Sequence, residues 1–209
     1  MNKIEIFNEY ALDKLKSMDN MEDISNPLLV SPKAYGNVMY IGQETNGWYG
    51  SISNTNYSSE FLTSNYENYL NGKVRNTLFW KFIKDIYGEE FYKNVVWTNA
   101  LIVGKACKKG LPSNYERFTE LSVENLLTIY EYFNIEKIIA TGGPYNPYKN
   151  ICKTFFNEIG IKIDINLNTT NGLVYSDDNK VLYTYHPQYL RRKNLYDMVV
   201  EDAKENMNK

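Results

Sequence analysis

The chain has 209 residues, 43% of them hydrophobic and 23% charged, the composition of an ordinary globular protein with enough length to bury one sizeable core. Its net charge of −2 excludes a surface coated in basic residues. Two cysteines without CxxC spacing and a single histidine are too few for a zinc or iron–sulfur site, and no apolar run approaches the roughly 20 residues that span a bilayer. One domain over residues 1–209 is expected. A cytoplasmic location is expected as well, because the start MNKIEIFNEY mixes charges with its apolar residues and reads as neither a secretory signal nor an anchor.

In chain order, Lys3–Lys16 reads as a flanking helix and Val38–Gly42 as a short buried strand. Residues 48–72, rich in Ser, Asn, Thr and Tyr with little apolar periodicity, read either as a functional loop or as a disordered surface excursion. Thr77–Tyr87 places Leu78, Phe82 and Ile86, with Phe79 and Ile83, on one helical stripe. The strand Val95–Leu101 is followed by a second excursion, Lys105–Tyr115, and a helix over Leu121–Phe133. Then come the strand Lys137–Gly142, the helix Tyr148–Ile159, the strand Val181–Tyr185 and a closing helix over Leu195–Met207. Strands alternating with helices predict a three-layer α/β/α fold with a central, mainly parallel sheet of about four strands.

Parallel α/β sheets bind ligands beyond the carboxyl ends of their strands. The residues there are Gly42-Gln43-Glu44-Thr45-Asn46-Gly47-Trp48, Thr98-Asn99, Gly142-Gly143-Pro144-Tyr145 and His186-Pro187-Gln188. They gather an acid, two amides and the only histidine. Asn99 offers a donor and an acceptor to a nucleobase edge, or ends its strand by bonding its own backbone. Glu44 serves as a general base or cation stabiliser, or caps a helix or joins an ion pair. His186, held extended by Pro187, is a catalyst or a satisfied structural residue. Leu190-Arg191-Arg192-Lys193 reads as an apolar wedge beside phosphate-binding cations, or as a solvated helix start. The 19 tyrosines are able to stack on bases, but tyrosine is also routine core filler.

Taken in order from about Asn37 to Lys193, these segments resemble the uracil-DNA glycosylase superfamily. Gly42-Gln43-Glu44 resembles the Gly-Gln-Asp opening of its first motif, and Val95-Val96-Trp97-Thr98-Asn99 the strand whose asparagine reads the flipped pyrimidine. Lys137 to Gly143 is similar to the next strand and glycine turn. Thr184-Tyr185-His186-Pro187-Gln188-Tyr189-Leu190 looks like the second motif, and Asn76 with Phe79-Trp80 resembles a helix start of the mismatch-specific branch. The resemblance implies a hydrolase acting on N-glycosyl bonds, in which Glu44 orients water or stabilises the sugar cation and His186 bonds the base carbonyl. Asn99 would bond the base edge, backbone N–H groups around Gln43 would add to the oxyanion site, and Trp48 or Tyr69 would stack on the extruded base. Leu190 would fill the gap left in the duplex, and Lys105, Lys108, Lys109, Arg191, Arg192 and Lys193 would hold phosphates.

Two departures bear on specificity: Glu44 is longer than the usual aspartate, and no Pro-Tyr-His follows it. Register places Asn46 where the uracil-specific branch has its blocking tyrosine. The pocket is therefore expected to admit thymine or another 5-substituted pyrimidine unless Trp48 or Tyr49 fills the space. DNA, single- or double-stranded, is the expected partner of a monomer, with no membrane association and no metal or organic cofactor. The same departures leave room for a non-catalytic module that binds DNA or nucleotides with the same fold. An unrelated α/β hydrolase is less favoured, since neither a GxSxG elbow nor a GxxxxGK[ST] loop is present.

Overall fold

A computed structural model describes residues 1–71, 74–107, 109–167 and 170–207 of the chain. Helix α1 (Lys3–Lys16) starts in a capping box, where the Asn2 side chain accepts the Glu5 N–H at 3.0 Å and the Glu5 carboxylate accepts the Asn2 N–H at 2.9 Å. Strand β1 (Val38–Gly42) follows, then α2 (Ser59–Leu70), α3 (Leu78–Tyr87), β2 (Val95–Asn99) and α4 (Thr119–Tyr132). The second half contains β3 (Lys137–Ala140), α5 (Tyr148–Glu158), β4 (Leu173–Tyr175), β5 (Val181–Thr184), α6 (Pro187–Arg192) and α7 (Tyr196–Met207).

The strands form one sheet in the order β2-β1-β3-β5-β4, in which β2, β1, β3 and β5 run parallel and β4 pairs antiparallel with β5. Helices α1, α2, α4 and α5 pack among themselves, as do α3, α6 and α7, so the sheet lies between two helical layers. Burial of every residue in β1, β2 and β5 explains why these strands read as continuous apolar runs rather than alternating ones. The fifth strand exceeds the expected four. At three residues, β4 is too short for its pattern to register.

Residues 48–72 are not one loop. They contain a 3₁₀ turn at Ile52–Asn54 and helix α2, whose N-cap Ser58 accepts the Phe61 N–H at 3.2 Å. Leu62, Tyr66 and Leu70 are buried at four-residue spacing with Thr63 beside them, while Ser, Asn and Glu fill most of the other positions and dilute the stripe. Tyr66 is core: its hydroxyl donates to the Trp97 carbonyl at 2.9 Å and accepts the Trp97 N–H at 3.0 Å.

The expectation for Leu190 is corrected. Its side chain is 0% exposed, because α6 turns it inward against Gly172, where an added Cβ would lie 3.2 Å from Leu190 and 3.0 Å from Leu195. It anchors α6 and has no free face to insert into a base stack. Leu190→Ala should therefore cost about 2–4 kcal/mol of stability, as for other buried leucines, read by urea unfolding. Unchanged stability with weakened DNA binding would instead restore the wedge. Among the described residues, no helix is long and apolar enough to cross a membrane.

Candidate active site at the strand ends

Strands β1 and β3 are neighbours, and the chain leaves β1 toward β2 but leaves β3 toward β5 on the other side. That divergence opens a crevice beyond their carboxyl ends, the usual ligand position in an α/β sheet. Gln43 Nε2 donates to the Gly142 carbonyl at 3.1 Å and ties the two departing loops together. Across the sheet, Gly42 pairs with Asn99, and a Cβ on Gly42 would lie 2.4 Å from the Asn99 amide and 3.0 Å from the Phe79 ring. Only glycine permits that approach.

A cleft of about 590 Å³ occupies the crevice, a volume typical of small-ligand sites. Of the residues predicted from sequence, Gln43, Glu44, Asn46, Trp48, Tyr69, Asn99, Lys109, His186 and Arg192 line it. Lys105, Leu190, Arg191 and Lys193 do not, and Lys108 lies outside the described residues. Lys105 instead pairs its backbone with Ile24 and Asn46, and Arg191 meets Asp197 at 3.6 Å.

One wall is aromatic. Trp97 packs edge-on to Trp80 at 4.8 Å and to Trp48 at 5.9 Å, and Tyr69 lies 5.7 Å from Trp48 with its hydroxyl accepting the Trp80 indole N–H at 3.0 Å. Phe79 stacks on Tyr40 at 4.5 Å and lies nearly parallel to His186, with ring centroids 6.0 Å apart and planes inclined 16°. Trp48 and Tyr69 thus meet each other edge to face, whereas Phe79 shares the plane orientation of the histidine.

His186 caps α6, where its Nδ1 accepts the Gln188 N–H at 3.2 Å and Pro187 supplies the first helical residue. An Nδ1 that accepts is unprotonated, so the neutral ring carries its proton on Nε2. Burial, with help from the nearby Arg192 charge, lowers the imidazole to about 4, which keeps it neutral at physiological pH. Glu44 moves the other way. Burial raises its carboxyl above the ordinary range, opposed by hydrogen bonding from the Tyr148 hydroxyl and the Gly110 backbone, and its Oε2 is buried without a hydrogen-bond partner.

Asn99 is 3% exposed. With its amide oriented to satisfy both ends, Nδ2 donates to the Thr98 carbonyl at 3.2 Å and Oδ1 accepts the Thr45 N–H at 3.3 Å. It thus bonds the adjacent Thr98 backbone and the Thr45 backbone beyond β1, and lines the cleft with one N–H and one lone pair to spare. Buried polar atoms without partners are uncommon in folded proteins. Five such side-chain atoms occur among the described residues, and three of them, Glu44 Oε2, Trp48 Nε1 and Trp97 Nε1, belong to residues of this cleft.

Sequence reasoning missed Phe79 as a cleft wall, Trp97, Arg75 and the pair Tyr185 and Tyr189. From sequence, Phe79 belongs to the apolar stripe of its helix and, with Trp80, to the helix start that resembles the mismatch-specific branch, neither of which makes it a cleft wall, and Arg75 stands outside every predicted element. Arg75, Lys109 and Arg192 are exposed cleft residues without an ion pair among the described residues, set against the single carboxylate of Glu44. The local balance is positive although the chain is net acidic. No group of three or more His, Cys, Asp or Glu side chains that could hold a metal occurs among the described residues. The chain matches no protein-family model and no curated protein.

Proposed function

We propose that this protein is a DNA glycosylase that hydrolyses the N-glycosidic bond of an extruded uracil or modified or mismatched pyrimidine. The observation that carries the reading is the convergence of Glu44, Asn99 and a neutral His186 on one cleft whose other wall is aromatic. Extrusion costs a few kcal/mol and is easiest for a mismatched or unpaired base. The cations at the cleft offset part of that cost through phosphate contacts.

In the reaction the C1′–N bond breaks with its electron pair leaving on the base, and a water oxygen bonds to C1′ and loses its proton. Negative charge develops on the base carbonyl and positive charge on the sugar. The His186 Nε2–H donates to the first, and the Glu44 carboxylate stabilises the second and takes the water proton. Asn99 contacts the base edge with its remaining donor and acceptor. The resemblance of the strand-end motifs to the uracil-DNA glycosylase superfamily supports the same assignment. Two free cysteines, Cys107 exposed and Cys152 buried, favour a reducing compartment, the cytoplasm.

Specificity at the 5-position turns on Trp48. Asn46 is exposed, and Tyr49, whose hydroxyl donates to Asn65 at 2.8 Å, does not line the cleft. The test is incubation with oligonucleotides carrying uracil, mismatched thymine or 5-modified cytosine, followed by alkali and strand-break analysis. Cleavage at one of these bases is expected, including at least one 5-substituted pyrimidine. Cleavage of uracil alone would remove the open-pocket reading, and no cleavage, with DNA binding retained, would favour a binding module.

A further inference from the structure

Burial of Leu190 leaves the surface of α6 to other side chains, and these form a defined patch. Tyr189 packs on the buried Tyr185 with centroids 4.5 Å apart and planes inclined 30°. The Arg192 guanidinium and the Lys193 ammonium lie 5.8 and 5.7 Å from the Tyr189 ring centroid, and neither cation has a carboxylate partner among the described residues. Tyr145, on the loop after β3, is 69% exposed and lies near Tyr185, whose hydroxyl is raised first by burial and then by Tyr189 and Tyr145. Tyr145, Tyr185, Tyr189 and Arg192 all line the cleft, so the patch is continuous with the proposed base pocket.

Helix geometry explains the arrangement. Pro187 sets the first turn, and Leu190 is locked inward against Gly172 and Leu195. Residues three and four positions after Tyr189 then share its face, which brings both cations over one ring. Aromatic rings beside unpaired cations are what an unpaired nucleotide strand needs, because exposed bases stack on π-faces and on guanidinium planes while lysine and arginine hold the phosphates. A duplex presents no free base faces, and the aliphatic wedge that would open one is unavailable in α6.

We infer that the Tyr145, Tyr189, Arg192 and Lys193 patch is a stacking platform for the nucleotides flanking the base in the cleft, so that the preferred substrate is single-stranded or locally unpaired DNA. The inference rests on reading the cleft as a nucleic-acid site but not on the cleavage of any bond. The probe is a labelled, undamaged oligothymidylate about ten nucleotides long, within the range of single-strand site sizes, compared with a duplex of the same length by fluorescence anisotropy.

The single strand is expected to bind roughly ten-fold or more tightly than the duplex, the order of one base–aromatic stack. Tyr189→Ala should abolish that preference and Tyr189→Phe should keep it, with thermal melting used to verify that both variants fold. Arg192→Gln should weaken both probes and lower the slope of log affinity against log salt by about 0.7 for the single strand. Equal or tighter binding of the duplex by the wild type, or unchanged single-strand affinity in Tyr189→Ala, would overturn the inference. Single-strand preference without excision of any base would keep the platform and remove the glycosylase. Excision without that preference would do the reverse.

Discussion

Replacing His186 with alanine is expected to slow base release by about 10²–10³-fold, the usual loss on removing one preorganised donor to a developing oxyanion. The effect should fall on kcat with little change in KM, because the Nε2–H matters most when charge has moved onto the base. His186 also caps α6 through its Nδ1, so the alanine variant should lose about 1 kcal/mol of stability as well. His186→Asn separates the two roles: its side chain is a good cap and should restore stability, but it is too short to restore the rate. An imidazole lowered to about 4 is neutral from pH 5 upward, so no break in rate near pH 6.5 should come from this residue. Full activity in His186→Ala would make it a structural cap and nothing more.

Glu44→Gln is expected to lower the rate by about 10²-fold or more, as for loss of a general base, and to stabilise the fold at neutral pH. The sign follows from the raised carboxyl. A glutamate whose folded-state value lies above its unfolded value favours folding in its protonated form, and that contribution is lost as pH rises through the folded value. At pH 7 the carboxylate, with Oε2 buried and unpartnered, therefore works against folding, and a neutral amide relieves it by about 1 kcal/mol. The gain should vanish below the ordinary carboxylate range, where glutamate is protonated in both states. For the same reason, the acid limb of the wild-type rate profile should lie above the ordinary carboxylate range. A variant that is both slower and more stable marks a residue kept for chemistry. Lower stability in Glu44→Gln at pH 7 would assign Glu44 a structural role.

The parts of the fold that sequence made legible are those with strong local signals. β1 and α1 have the expected bounds, and β2, β3 and β5 start where expected and end one or two residues early. At β2 the backbone bonding continues beyond the strand, with Ala100 and Leu101 donating to the carbonyls of Gly42 and Gln43. The polar residues at the strand ends were readable for the same reason, since strand position dictates which loops meet. What escaped depends on tertiary packing. The apolar stripe of α2 is narrow, with only the polar Thr63 buried beside Leu62, Tyr66 and Leu70, and Leu190 beside three cations has the same local sequence whether it points out or in. Only the close approach of Gly172 and Leu195 decides that it points in. Phe79 and Trp97 are apolar residues whose cleft-facing surface no periodicity distinguishes from core.

The most direct measurement of the central claim is the intact mass of a single-stranded oligonucleotide, carrying the base that the panel selects, before and after incubation with wild-type protein, Glu44→Gln and His186→Ala. Wild type should yield an abasic strand, with the base replaced by a hydroxyl and every phosphodiester intact, and both variants should leave the mass unchanged over the same time. An unchanged mass with bound wild-type protein, or a strand cut at a phosphodiester with the base still attached, would contradict the assignment of this cleft to N-glycosidic hydrolysis.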